Sequence, residues 1–163
     1  MTASKPRILH VITRLDPGGS ATNTIISVDL LRKHGFDTFL AVGPTQDPEG
    51  SIRSKLDEMK IEQILVPCLV RNPSPVKDLL AIRQLKEIMR KEKFDLVHTH
   101  TSKAGVLGRI AARACGIPSV HTPHGHIFYG YFGPLLTRTF VYIERIMAQR
   151  TKKIISLTDI ETA

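Results

Sequence analysis

Apolar runs alternate with amphipathic stretches along the whole chain. Ile8–Ile12, Thr38–Val42, Ile64–Val66, Asp95–His98, Ser119–Thr122 and Ile154–Leu157 read as strands. The first is nearly all apolar, as expected of a strand covered on both faces. Helices fall between them. One runs from about Ala21 to His34, with Ile25, Val28 and Leu31 on its apolar stripe and Gly35 as its end signal. A second covers Ser51–Lys60. A third opens at Pro75 with Ser74 as its cap, ends near Lys93, and is predicted to turn Val76, Leu79, Ile82, Leu85 and Met89 inward. Glu87 and Lys91 form an exposed i,i+4 pair in this reading. On a fourth helix Ala104, Gly108, Ala111 and Cys115 recur every three or four residues, so that it lies close on the sheet while Arg109 and Arg113 point to solvent. Pro134 opens a fifth, with Leu136, Phe140, Ile143 and Met147 on one face. Strands alternating with crossover helices predict an α/β fold: a doubly wound parallel sheet of six or more strands with helices on both faces.

In such a sheet, ligands sit at the turns that follow the carboxyl ends of strands. Two of these turns, His98–Lys103 and His121–His126, carry five of the seven histidines of the chain and are one helix apart. A zinc site is one reading of them, but no Cys or carboxylate accompanies the histidines at metal-ligand spacing. The favoured reading is a neutral imidazole, His124, hydrogen-bonding a polar substrate over Gly125, with His98 and His121 as satisfied core residues and no metal. The first turn contains Gly18-Gly19, whose backbone can approach a phosphate at a helix N-terminus; a simple tight turn explains the pair equally well. There is no G-x-G-x-x-G, and the second strand ends in Val42-Gly-Pro-Thr45 without an acid, which argues against a nicotinamide dinucleotide. Ser102 and Lys103 suit a phosphate or sugar phosphate, or else Thr101 or Ser102 caps the helix and Lys103 is solvated.

Composition narrows the class. With 163 residues, 42% hydrophobic and 23% charged, the chain is one globular domain. No apolar run approaches the roughly 20 residues that span a bilayer, and the N-terminus reaches its first strand too soon for a secretory signal. Cys68 and Cys115 read as buried free thiols of a cytoplasmic protein. The net charge of +8 is lopsided: residues 1–80 hold 10 Lys/Arg against 9 Asp/Glu, residues 81–163 hold 13 against 6. A solvated basic face and a surface for anionic partners both fit that asymmetry. The aromatic run His126–Leu136, followed by Arg138, Arg145, Arg150, Lys152 and Lys153, reads as a surface for stacking nucleic acid bases, a membrane-interface segment, a lid beside the site or simple packing under the sheet.

Arg7-Ile-Leu-His-Val-Ile-Thr-Arg-Leu-Asp-Pro-Gly-Gly19, His98-Thr-His-Thr-Ser-Lys-Ala-Gly-Val-Leu-Gly-Arg109 and His121-Thr-Pro-His-Gly125 together resemble the N-terminal domain of glycosyltransferase family 4, bacterial enzymes of surface polysaccharide synthesis. The resemblance implies a GT-B fold of two Rossmann-like domains, of which residues 1–163 are the first, acceptor-side one; the C-terminal donor-binding domain is absent, so this fragment alone is expected to be inactive. It also implies a retaining enzyme that moves a hexose from a nucleotide sugar, its co-substrate, to a saccharide or polyprenyl-linked acceptor, with no cofactor and no nucleic acid partner. Gly18 and Gly19 inherit a place beside the donor diphosphate and His124 one beside the donor sugar. Arg14, Ser102, Lys103 and the 126–134 loop are acceptor candidates by position. Where the family often has Glu or Gln two residues beyond the diglycine, this chain has Ala21. The expected location is cytoplasmic, with peripheral contact at the inner face of the cell membrane. The rival expectation is a non-catalytic basic α/β module for acidic membrane or nucleic acid.

Overall fold

The computed structural model describes residues 4–47, 50–124 and 134–157, without the side chains of residues 134–137 and 140. Gly125 and residues 126–133 lie outside it, as do the side chains of Leu136 and Phe140. Six strands form one sheet: β1 (Arg7–Ile12), β2 (Asp37–Val42), β3 (Gln63–Leu65), β4 (Leu96–His100), β5 (Ser119–Thr122) and the two-residue β6 (Lys153–Ile154). Every pairing is parallel and the spatial order is β3-β2-β1-β4-β5-β6, the doubly wound arrangement expected. The crossovers are α1 (Gly19–Lys33), α2 (Ser51–Glu58), α3 (Pro75–Glu92), α4 (Ser102–Ala114) and α5 (Pro134–Ala148). No described helix is long and apolar enough to cross a membrane.

Two apolar cores flank the sheet. Ile12, Leu40 and Val42 pack with Ile25 and Val28 of α1 and Ile52 and Leu56 of α2. Leu9, Val11, Ala41 and Val97 pack with Ala81, Leu85 and Met89 of α3 and Ala104, Leu107 and Ala111 of α4. Burying side chains of this size contributes about 1.5–3 kcal/mol each.

The structure corrects several expectations. Val76 and Leu79 are 72% and 69% exposed, and α3 buries Ala81, Leu85 and Met89 instead. At 3.6 residues per turn, Val76 and Leu85 are nine positions apart and so lie on opposite sides of the helix. Ser74 stands at the N-cap without a side-chain cap bond; its amide donates to Asp78 Oδ2. Glu87 pairs with Arg83 at 3.1 Å rather than with Lys91. Both cysteines are only part-buried. Arg109 is 2% exposed, not solvated, because α5 lies against the side of α4 that the sequence assigned to water.

Candidate functional site

Because all six strands are parallel, the turns after β1, β4 and β5 open on one edge of the sheet, and threonines stitch them together. Thr13, just past β1, accepts the Ala104 N–H at 3.1 Å and its hydroxyl lies 3.1 Å from that of Thr101. The cap of α4 therefore comes from Thr13, since Thr101 at the N-cap makes no such bond. The Thr101 N–H donates to the Thr122 carbonyl, joining the β4 and β5 turns at 3.2 Å. Thr101 (φ 62°, ψ 161°) and His124 (φ 59°) both have backbones that side chains rarely adopt. Each costs about 1–3 kcal/mol, and such residues cluster at functional sites.

Beneath this rim runs a chain of imidazoles. Residues two apart on a strand share a face, so His98 and His100 point the same way, and His10 of β1 is in register with His98. His10 Nδ1 lies 3.0 Å from His100 Nε2, and His100 Nδ1 lies 2.9 Å from His124 Nε2. His98 Nε2 is 2.9 Å from the Thr122 hydroxyl. His121, in register with Thr99, faces the opposite core: its Nδ1 lies 3.0 Å from the Thr99 hydroxyl and 3.1 Å from the Thr99 carbonyl. Gly105 is required there, because a Cβ would come within 2.4 Å of His121 Cε1.

Burial keeps these rings neutral. It holds His10 well below its ordinary value, with the His98 imidazole a second cause. Burial first and His124 second bring His98 to about 4. Burial, then the neighbouring imidazoles, hold His100 well down. Burial, then the Arg109 guanidinium, lower His121 to about 3, while its bond to the Thr99 backbone works the other way.

A neutral His100 has one ring N–H, so it donates at one end of the chain and accepts at the other. His10 Nε2 is buried without a hydrogen-bond partner among the described residues. A buried orphan N–H is rarer than an under-satisfied acceptor, which makes that atom the lone pair. The chain then runs in one direction: His10 Nδ1–H donates to His100, whose Nδ1–H donates to His124 Nε2. His10, His98 and His100 also meet the spacing of metal ligands, within 4.8 Å of one another. Within that cluster His10 Nδ1 is engaged with His100 Nε2 and His98 Nε2 with the Thr122 hydroxyl.

Of the other predicted residues, Gly18 and Gly19 are exposed, and a Cβ on Gly19 would meet nothing within 4 Å. No side chain caps α1 and no acid lies in its first turn, leaving its first amides open beside the helix dipole. Lys103 is neither solvated nor in the rim centre. Its ammonium pairs with Asp78 at 2.6 Å and donates to the Asn72 carbonyl at 2.5 Å, holding the β3–α3 loop against α4. Arg14 pairs with Asp16 at 2.6 Å. Ser102 opens α4, part-buried.

Sequence reasoning missed His10 as a member of the cluster, although its place in β1 allowed it. It also missed Arg109, which donates to the Gly105 carbonyl and to both oxygens of Glu144 at 2.8 and 2.7 Å. No local signal marks that contact, since Glu144 is 35 residues away.

A family model described as Glycosyltransferase Family 4 matches residues 17–161. The chain is 35% identical over 157 residues to UDP-Gal:alpha-D-GlcNAc-diphosphoundecaprenol alpha-1,3-galactosyltransferase of Escherichia coli, covering 96% of this chain and 39% of that protein. A glycosyltransferase structure from Rickettsia africae superposes with a TM-score of 0.70 at 20% identity, over 97% of this chain and 38% of that one. HepE of Anabaena in complex with UDP superposes with a TM-score of 0.64 at 20% identity, over 91% and 36%. Both likenesses show the fold. The chain spans about two fifths of the length of each of these proteins.

Proposed function

Because the chain belongs to glycosyltransferase family 4, we propose that it is the N-terminal, acceptor-side domain of a retaining glycosyltransferase. The parent enzyme moves a hexose from a nucleotide sugar onto a lipid-linked saccharide in surface polysaccharide synthesis. By likeness to the E. coli relative, the first pair to test is UDP-galactose with a diphospholipid-linked N-acetylglucosamine. A second domain beyond this chain supplies most donor contacts, and a lipid-linked acceptor brings the enzyme to the membrane surface. The observation that carries this reading is His124, oriented by His100 and standing on the same rim as the open diglycine turn. The α1 amides at Gly18-Gly19 stabilise charge developing on the leaving diphosphate, and His124, a neutral donor, orients the sugar being transferred.

The test is transfer by the full-length enzyme. His124→Ala lowers kcat/KM by on the order of 100-fold, the size of effect seen when one preorganised donor is lost from a transition state. Near-normal turnover in that variant removes His124 from the site.

A further inference from the structure

Away from His124, at the β3-β2-β1 end of the rim, three loops enclose a groove of about 440 Å³ lined by Arg14, Asp16, Arg71, Ser74 and Lys77 among others. Its walls are fixed before any ligand arrives. The Leu15 N–H donates to Thr45 Oγ1 at 2.9 Å and the Gln46 N–H to Asp16 Oδ1 at 3.1 Å, joining the β1–α1 turn to the β2–α2 loop. Lys103 holds the third wall through Asn72 and Asp78. Gly43 lets the three meet, because any side chain there would strike the backbone carbonyls of Leu69 and Thr13.

The charges in this groove are unbalanced. Arg14 is matched by Asp16, whereas Arg71 and Lys77 form no ion pair among the described residues. The Ser74 hydroxyl makes no hydrogen bond among them either. Two uncompensated cations and a hydroxyl in a preformed groove fit a diphosphate diester, which carries one negative charge on each phosphate. Position selects which diphosphate. With strands about 4.8 Å apart, the walls of the groove, which follow β1, β2 and β3, lie two to four spacings, ~10–19 Å, from the β5 turn that carries His124. A sugar ring joined to a diphosphate bridges such a gap, with its hydroxyl toward His124 and its phosphates in the groove. The donor diphosphate has its own place at Gly18-Gly19.

We propose that the Arg71–Ser74–Lys77 groove binds the diphosphate of a lipid-linked acceptor. This rests on the glycosyltransferase reading but is tested apart from it. The probe is a water-soluble short-prenyl diphospho-N-acetylglucosamine, titrated calorimetrically into the full-length enzyme at fixed ionic strength, with UDP in a parallel arm. Arg71→Gln/Lys77→Gln, both exposed and without ion-pair partners among the described residues, weakens the prenyl probe at least tenfold and leaves circular dichroism and UDP unaffected. Lys152→Gln/Lys153→Gln removes the same charge from an exposed site near β6 and changes the affinity less than twofold. Unchanged binding in the groove variant overturns the proposal. So does an equal loss in both double variants, which marks diffuse charge attraction, or a loss of UDP matching that of the prenyl probe, which assigns the groove to the nucleotide. Each of those outcomes leaves the His124→Ala transfer result, and the reading that depends on it, standing.

Discussion

On one face of the sheet, neighbouring strands fill the same layer with opposite chemistry. Leu40, His10 and His98 form one row across β2, β1 and β4; Val42, Ile12 and His100 form the next. On the β2 side the layer is aliphatic and closes against Ile25, Val28, Ile52 and Leu56. On the β4 side it is imidazole, with ring centroids 4.1–5.3 Å apart. The aliphatic half stabilises the fold by removing apolar area from water and is indifferent to pH. The imidazole half is held only while its rings are neutral and bonded, and in return it fixes the orientation of His124. One face thus carries a stability half and a positioning half on the same backbone geometry.

Acid is the largest way to break that contrast. His10, His98, His100 and His121 are neutral when folded but take up protons near pH 6.5 when unfolded. Their stabilising effect is therefore intact above pH 6.5 and is lost as pH falls toward the folded values, about 4 for His98 and about 3 for His121. Each contributes a slope of at most about 1.4 kcal/mol per pH unit, so together the four approach about 5.5 kcal/mol per unit. Denaturant titrations followed by circular dichroism are expected to show stability collapsing between pH 6.5 and 4. His10→Leu, which extends the aliphatic row by one strand, reduces that slope by about one quarter. An unchanged slope would show that His10 is not held neutral by its surroundings.

Leu40→Ala probes the other half. Truncating a fully buried leucine costs about 2–5 kcal/mol, and here the loss is the same at pH 7 as at pH 6. A loss that grew with acidity would mean the two halves are coupled. Arg109→Met gives a smaller effect, about 2 kcal/mol: it keeps the packing volume but breaks the pair with Glu144, which is 22% exposed and can rehydrate. It also removes the guanidinium repulsion on His121, which raises that ring's folded value from about 3 and moves the lower edge of the acid transition upward. Chemical denaturation at two pH values reads both.

Much of this was legible locally. Apolar runs separated by amphipathic stretches gave every strand and helix to within a few residues, although β4 continues through His100, which the sequence reading left in the turn. Parallel topology sends the diglycine turn and His124 to one edge of the sheet, as expected. The reading of α3 failed for a local reason too, since a helical wheel already separates Val76 from Leu85.

The sequence by itself determined the order of elements, the parallel sheet and the chemistry concentrated after β1, β4 and β5. Short-range periodicity and chain direction are enough for those. Only the tertiary structure decided that His10 joins His100, that Thr13 rather than Thr101 caps α4, that Lys103 braces a loop, and that Arg109 is buried on Glu144. Each of these contacts joins residues at least 25 positions apart, and which partners meet is set by strand order and helix packing, which no local pattern encodes.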